Sequence, residues 1–341
     1  MREAFGASFD VPDGYLNTAS IGVPPVDAAR AVAESVARWG SGLAGPKDFD
    51  PAVATARAAF ARLIGTTADR VAIGATASQL VGLVAASLPA GARVLVAANE
   101  FTSVVFPFAA QRDRGVRVTE VELSEIAEHA ADHDVVAVSV VQSSDGRIVD
   151  LDALRQIAAA NSTRVLLDVT QALGWLPLQL DWADWVVGAA YKWLLSPRGA
   201  AWLAVHPDAP EIQPSSANWY AGQDPWSSTY GLPLRLAAGA RALDLSPTWL
   251  AQVGAAAAMD WLAGIDMTAV AKHCVGLADE FRTALDLPAA GSAIVSVQVP
   301  DAVSKLTAAG VACAARAGRA RLSFHLYNTG ADVERAMLAL R

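Results

Sequence analysis

Between residues 70 and 204 the chain alternates short runs rich in β-branched residues with stretches spaced for helix, and this alternation is the strongest constraint on its fold. The apolar runs, bounded by Gly, Pro or polar clusters, predict strands over 70–73, 93–96, 116–121, 135–141, 164–168, 182–187 and 200–204. Apolar residues at helical spacing predict helices over 78–88, 104–112 and 151–160, with a helical fragment at 171–173. Strand and helix in alternation predict an α/β fold with a mostly parallel, doubly wound sheet sandwiched by helices. In such a sheet, ligands sit beyond the C-terminal ends of the strands.

The pattern differs on either side of this region. Residues 1–25 are punctuated by Gly14, Asn17, Gly22, Pro24 and Pro25 and read as an extended N-terminal arm ending in a turn. Helical spacing over 26–39 and 51–64 opens a large domain that runs to residue 246. From 247 to 341, long helices at 248–263 and 268–285 precede short strands at 293–299 and 319–324 and a last helix at 331–341. That order predicts a small α+β C-terminal domain. The segment 213–232 carries Trp219, Tyr220, Trp226 and Tyr230 and is too aromatic for an inert linker, so an ordered loop at a subunit contact is expected.

Composition excludes several classes. Hydrophobic residues make up 53% of the 341 and charged residues only 18%, too apolar for extended disorder. Net charge is −8 and the 26 Lys and Arg form no block, so neither nucleic acid nor an anionic membrane is expected as a partner. Two cysteines, Cys274 and Cys313, without a Cys/His pairing of the metal-binding kind, give neither a disulfide framework nor a metal site and fit a reducing cytoplasm. The first residues lack the basic head and apolar run of a signal peptide, and no stretch has the uninterrupted length of a membrane span.

Two predicted strands end on chemistry. Arg164-Val-Leu-Leu-Asp168 places a carboxylate at a strand's C-terminal end, and Gln171 follows in the turn. Asp184-Trp-Val-Val-Gly leads to Tyr191-Lys192-Trp193 and then to Ser196-Pro-Arg198-Gly199. Singly, an acid at a strand end is common and a lysine after a strand is most often a solvated surface residue. In one parallel sheet, however, Asp168 and Lys192 arrive at the edge where a site is built. A third turn, Gly74-Ala75-Thr76-Ala77-Ser78, runs from a strand into a helix. Its N–H groups and the Thr76 hydroxyl suit either a simple cap or a phosphate group.

The whole string resembles the class V branch of the fold-type-I pyridoxal-phosphate enzymes: cysteine desulfurases, kynureninase and isopenicillin-epimerase-like proteins. The matching residues are Asp168, Gln171, Gly174, Pro177, Tyr191-Lys192 and Pro197-Arg198-Gly199, and the resemblance covers nearly the whole chain. It implies a seven-stranded sheet and pyridoxal 5'-phosphate as cofactor. Lys192 then holds the cofactor as a Schiff base and later acts as the proton-transfer base at the substrate Cα, burial having freed its amine of a proton. Asp168 keeps the ring nitrogen protonated, which strengthens the ring as an electron sink. The resemblance also gives Gln171 a donor role at the phenolic oxygen, Thr76 and the Ala77 N–H the phosphate, and Phe101 a stacking role in the kynureninase manner. Tyr191 joins the cofactor-binding set. Near the C-terminus, Arg321-Leu-Ser323-Phe-His325-Leu-Tyr327-Asn328-Thr329 matches the pattern Arg-x-Ser-x-x-x-Tyr-Asn-Thr. Arg321 is thereby expected to bind the α-carboxylate, and Tyr327, Asn328 and Thr329 to cap the last helix.

Three departures shift the expected chemistry. The catalytic cysteine of desulfurases sits in a mobile loop, for which Gly310 to Arg321 leaves no room; Cys313 is expected inside a strand as a small apolar residue. The phosphate-binding Ser found two positions before the family's His is Ala189 here, so another hydroxyl, Ser227 or Ser228 of a partner subunit, is a candidate replacement. The desulfurase Asn at the carboxylate aligns near Ser143, and Gln142 and Ser143 stand in for it. The expectation is a homodimeric lyase that forms a Cα carbanion and eliminates a β-substituent from a cysteine-derived or other amino acid. Aminotransferase chemistry is the alternative. Racemisation and a non-catalytic binding module rank lower.

Overall fold

The computed structural model describes residues 1–341. A hairpin of β1 (Arg2–Ala4) and β2 (Ala7–Phe9) opens the chain, followed by an extended segment and then α1 (Val26–Gly40) and α2 (Asp50–Ile64). The alternating region comprises β3 (Val71–Gly74), α3 (Ala77–Ser87), β4 (Arg93–Ala97), α4 (Thr102–Ala109), β5 (Arg117–Val121), α5 (Ile126–His129), β6 (Val135–Ser139), α6 (Leu151–Ala160), β7 (Arg164–Asp168), β8 (Trp185–Ala189) and β9 (Ala201–Val205). These strands form one seven-stranded sheet in the order β3-β9-β8-β7-β6-β4-β5. All neighbours run parallel except β9, which is antiparallel to both β3 and β8.

The continuous apolar runs make sense in this sheet because parallel strands are covered on both faces. Successive residues alternate between two cores: Leu95, Val136, Leu167 and Val186 pack toward α2, whereas Val94, Ala137, Leu166 and Val187 pack toward α3.

The C-terminal region holds α7 (Trp249–Leu262), α8 (Met267–Thr283), β10 (Ile294–Val297), α9 (Ala302–Ala308), β11 (Ala314–Arg316), β12 (Arg319–Ser323) and α10 (Gly330–Leu340). Its strands form an antiparallel sheet, β10-β12-β11, over a third core that includes Phe281, Leu322 and Phe324. Helix α7 packs against α1 and α2 rather than on this small sheet. No single helix is long and apolar enough to cross a membrane.

Several boundaries differ from expectation for visible reasons. Strand β8 starts at Trp185 because the Asp184 carboxylate accepts from Val165 N–H and Arg164 and so caps the start of β7. Strand β6 stops at Ser139, whose N–H and hydroxyl both turn to Glu100. Residues 171–173 form a turn closed on the Val169 carbonyl, not a helix. Cys313 lies just before β11, half-buried, and burial pushes its thiol up. Thr329 starts α10, and Asp332 accepts from its N–H. Tyr327 does not cap that helix: it is buried and its hydroxyl meets Thr18 at 2.5 Å.

The N-terminal arm is a structural part of the small domain. Arg2 pairs with Asp332, Tyr15 bridges Ala312, Asn17 bridges Ser323, and Leu16 sits in the third core. This seam carries residues 19–22 past the C-terminal ends of the large sheet.

Candidate active site

Asp168 is the last residue of β7, flanked in register by Ser139 of β6 and Val187 of β8. One of its oxygens, Oδ1, accepts from Thr170 N–H at 2.8 Å. Burial pushes its carboxyl up, opposed by the Thr170 hydrogen bonds and by Lys192.

Lys192 follows the end of β8 and is only 5% exposed. Its Nζ lies 5.2 Å from the centre of the Phe101 ring and 5.6 Å from that of Tyr191. Two aromatic faces solvate an ammonium far less well than water does, and burial lowers this amine to about 8, partly opposed by Asp168 and reinforced by Arg321, Arg316 and Arg198. The backbone here is set by the arm. Gly22 N–H donates to the Tyr191 carbonyl at 2.9 Å, and a Cβ at Gly22 would overlap the Lys192 carbonyl oxygen.

Lys192 and Asp168 open into one cavity of about 230 Å³, whose wall also includes Thr76, Ala77, Phe101, Ser143, Gln171 and Tyr191. Thr76 is the N-cap of α3, its hydroxyl accepting from Gln79 N–H at 3.2 Å. The capping and phosphate roles share this position, since the first N–H groups of a helix have no helical acceptor. Phe101, 42% exposed, covers the lysine from the start of α4.

Gln171 reaches the cavity, but its amide is committed. Trp193 Nε1, a donor only, points at Oε1 at 2.8 Å and so fixes the amide's orientation. Nε2 then donates to the Ala19 carbonyl and to Ser143 Oγ, each at 3.0 Å. Both amide hydrogens are thus engaged with the arm and Ser143. Arg321, on β12, is 1% exposed and stands behind Ser143. It donates to the Ser143 carbonyl at 2.6 Å, to Ser143 Oγ at 3.1 Å and to Ser20 Oγ at 2.8 Å, while its Nε has no partner. Burial lowers this guanidinium to about 10, Arg316 adding to the effect.

Gln142 is not brought to the cavity. Its Nε2 donates to Glu100 at 2.9 Å, in a buried network below the site. Residues overlooked in the sequence include Ala19, Ser20, Glu100 and Thr170; the arm residues act through a carbonyl and a short hydroxyl, which leave no periodic signal. Arg198 also lines the cavity, 5.1 Å over the Tyr191 ring. A larger groove of about 740 Å³ lies between the two domains. Its Arg147 and Asp145 pair with each other and Asp150 caps α6, so those groups are already committed.

The family model described as aminotransferase class-V matches residues 35–336. Over 305 residues the chain is 27% identical to an uncharacterized aminotransferase, YcbU, of Bacillus subtilis, covering 83% of this chain and 81% of that protein. It is 30% identical over 270 residues to isopenicillin N epimerase of Streptomyces clavuligerus, covering 69% and 66%. Among solved structures, the cystine C-S lyase C-DES in complex with cysteine persulfide superposes with a TM-score of 0.85 at 19% identity, covering 97% of both chains.

Proposed function

The chain belongs to the aminotransferase class-V family and its cofactor is pyridoxal 5'-phosphate; from that premise we propose that it is a lyase acting on cysteine-derived or other β-substituted amino acids. The residues of the cavity fit the cofactor. A buried amine without an ion-pair partner, a buried carboxylate held by Thr170, and a helix start all face one space. Lys192 would hold the cofactor covalently, Asp168 its ring nitrogen, Thr76 and the Ala77 N–H its phosphate, with Phe101 and Tyr191 beside it. When bound there, the cofactor supplies an electron sink for the pair released at the substrate Cα.

The protein's own groups do the rest. Arg321 offers a planar cation, held on two sides by Ser143 and Ser20, for the substrate α-carboxylate. Ser143 Oγ already accepts from Gln171 and from Arg321, so its own hydrogen is left to donate into the cavity. Lys192 would take the Cα proton at Nζ. An amine near 8 is basic enough to accept that proton and is free in part at neutral pH. Phe101 and Tyr191 limit water at that nitrogen.

Elimination is favoured over persulfide chemistry by the β11–β12 hairpin. Arg316 pairs with Arg319 across a turn of Ala317 and Gly318, where desulfurases carry a cysteine-bearing loop. Cys313 is half-buried beside it with its thiol pushed up, a poor nucleophile. The active unit is a homodimer. Phe106, Tyr230, Leu232 and Leu234 are exposed apolar side chains that a second copy would cover.

Incubation with cysteine S-conjugates tests the reading. Equimolar pyruvate, ammonia and free thiol, lost with Lys192→Ala, are the expected products. Transfer of the amino group to an added keto acid without pyruvate overturns the lyase in favour of an aminotransferase.

A further inference from the structure

The phosphate end of the cavity lacks one hydroxyl. Ala189 has no side-chain donor, and its N–H is spent on Thr170 Oγ1 at 3.1 Å. The start of α3 supplies backbone N–H groups and about half a positive charge, too little to balance a phosphate dianion alone. A second source of charge stands nearby. Arg198 precedes Gly199, whose φ of +113° turns the chain into β9. The first residue of β9, Ala201, pairs with Gly74 at the end of β3 on one side and with Ala189 at the end of β8 on the other. That register brings Arg198 to the end of the sheet from which α3 and Tyr191 also lead, in the wall of one cavity. Its guanidinium carbon lies 5.1 Å over the Tyr191 ring. No carboxylate lies within ion-pair distance of it, although the chain as a whole is acidic. Thr76, Ser78 and Lys192 share its cavity.

We infer that Arg198 is the cation that binds the cofactor phosphate, with Tyr191 as the flat support that keeps the guanidinium aimed. The inference rests on the reading that this cavity holds pyridoxal 5'-phosphate. A guanidinium meets a phosphate through two parallel N–H donors, and stacking on a ring reduces the rotamer freedom lost on binding. Arg198 differs in origin from Arg316 and Arg321, which both come from the small antiparallel sheet. Arg321 is assigned to the substrate acid, and Arg198 to the other end of the site.

Apoprotein binding of pyridoxal 5'-phosphate and of pyridoxal, which lacks the phosphate, separates the roles. Dissociation constants are read from absorbance for the wild type, Arg198→Gln and Arg198→Lys. Arg198→Gln is expected to leave pyridoxal binding unchanged and to cut the preference for the phosphorylated compound about tenfold or more, one charge-assisted contact's worth. Arg198→Lys recovers part of it, and the salt dependence of phosphate-ester binding weakens in Arg198→Gln. A wild-type preference that survives Arg198→Gln overturns this inference alone. So does a rise only in the amino acid concentration needed for a spectral change, which would assign Arg198 to substrate. Equal loss of both compounds also overturns it, since that marks a disturbed cavity. Wild-type protein that takes up neither compound overturns the cofactor reading and the inference together.

Discussion

Replacing Glu100 by glutamine isolates what holds the aromatic wall of the site. The carboxylate is buried and accepts four hydrogen bonds: Oε1 from Phe101 N–H at 2.7 Å and from the Ser139 hydroxyl at 2.6 Å, Oε2 from Ser139 N–H at 2.7 Å and from Gln142 Nε2 at 2.9 Å. An amide keeps only one acceptor oxygen. With its NH2 on the Oε2 side, the buried Ser139 N–H is orphaned; on the Oε1 side, the Ser139 hydroxyl can turn to accept and only Phe101 N–H is stranded. The second arrangement costs less, because Phe101 is part-exposed and its N–H can find water. The Phe101 N–H gives up a bond to a charged acceptor, worth about 1.5–3 kcal/mol, and the contacts that remain lose charge assistance, against which stands the relief of no longer burying a charge. The net expectation is a loss of about 1–3 kcal/mol of apoprotein stability in urea unfolding. Glu100 also pushes the Asp168 carboxyl up, so its neutralisation lets Asp168 ionise at lower pH. The acid limb of the bound cofactor's absorbance should move to lower pH with it. A Glu100→Gln protein within about 0.5 kcal/mol of wild type, with the acid limb unmoved, would refute the argument that this network sets the loop.

Capture of pyridoxal 5'-phosphate by the apoprotein should speed up as pH rises and reach half its limit near pH 8, the value to which burial lowers Lys192; stopped-flow absorbance reads it. The same shift has a linkage consequence. Between about 8 and the ordinary lysine value of 10.5 the unfolded chain binds more protons at this site than the folded one, so apoprotein stability should rise with pH there, and Lys192→Met should flatten the rise. Arg57 and Asp244 form a buried bidentate pair at 2.9 and 2.7 Å that also binds the Val71 carbonyl and the Ile73 N–H of β3. Asp244→Ala should cost about 3–5 kcal/mol in urea unfolding, and adding Arg57→Met should recover part of it by removing the stranded charge. Tyr230 and Leu232 are each 90% exposed, and under the proposed pairing of two copies the double change to Asp should lower the mass read by light scattering to that of one chain.

The strands are legible in the sequence because their pattern has a fixed geometry, whereas the acid–lysine pair stands out only through the resemblance of its string to the class V family. A buried parallel strand is a run of apolar residues, and its C-terminal end fixes where Asp168 and Lys192 emerge. What is illegible depends on backbone atoms and on direction. Ala19 contributes a carbonyl and Gly22 an N–H, groups every residue has, so nothing in the arm marks its place at the site. Gln142 and Ser143 are neighbours in sequence, yet Gln142 turns to Glu100 and Ser143 to Gln171 and Arg321. Nothing in a bare Gln-Ser pair indicates which one faces the cavity.

Direction matters more than proximity in this cluster. Trp193 has only a hydrogen to give, so Gln171 must present its oxygen there and its NH2 to Ser143 and Ala19. Arg321 has only hydrogens to give as well, so Ser143 Oγ receives from both sides. One obligate donor at each end of the chain of contacts therefore sets the polarity of everything between, and the Ser143 hydrogen is left for whatever enters the cavity. An oxygen anion arriving there meets a donor already oriented by the protein, with no internal hydrogen bond to break first. The arm closes the arrangement from the far side through Ser20 and Ala19, which ties the Arg321–Ser143–Gln171 cluster to the seam between the first twenty residues and the small domain.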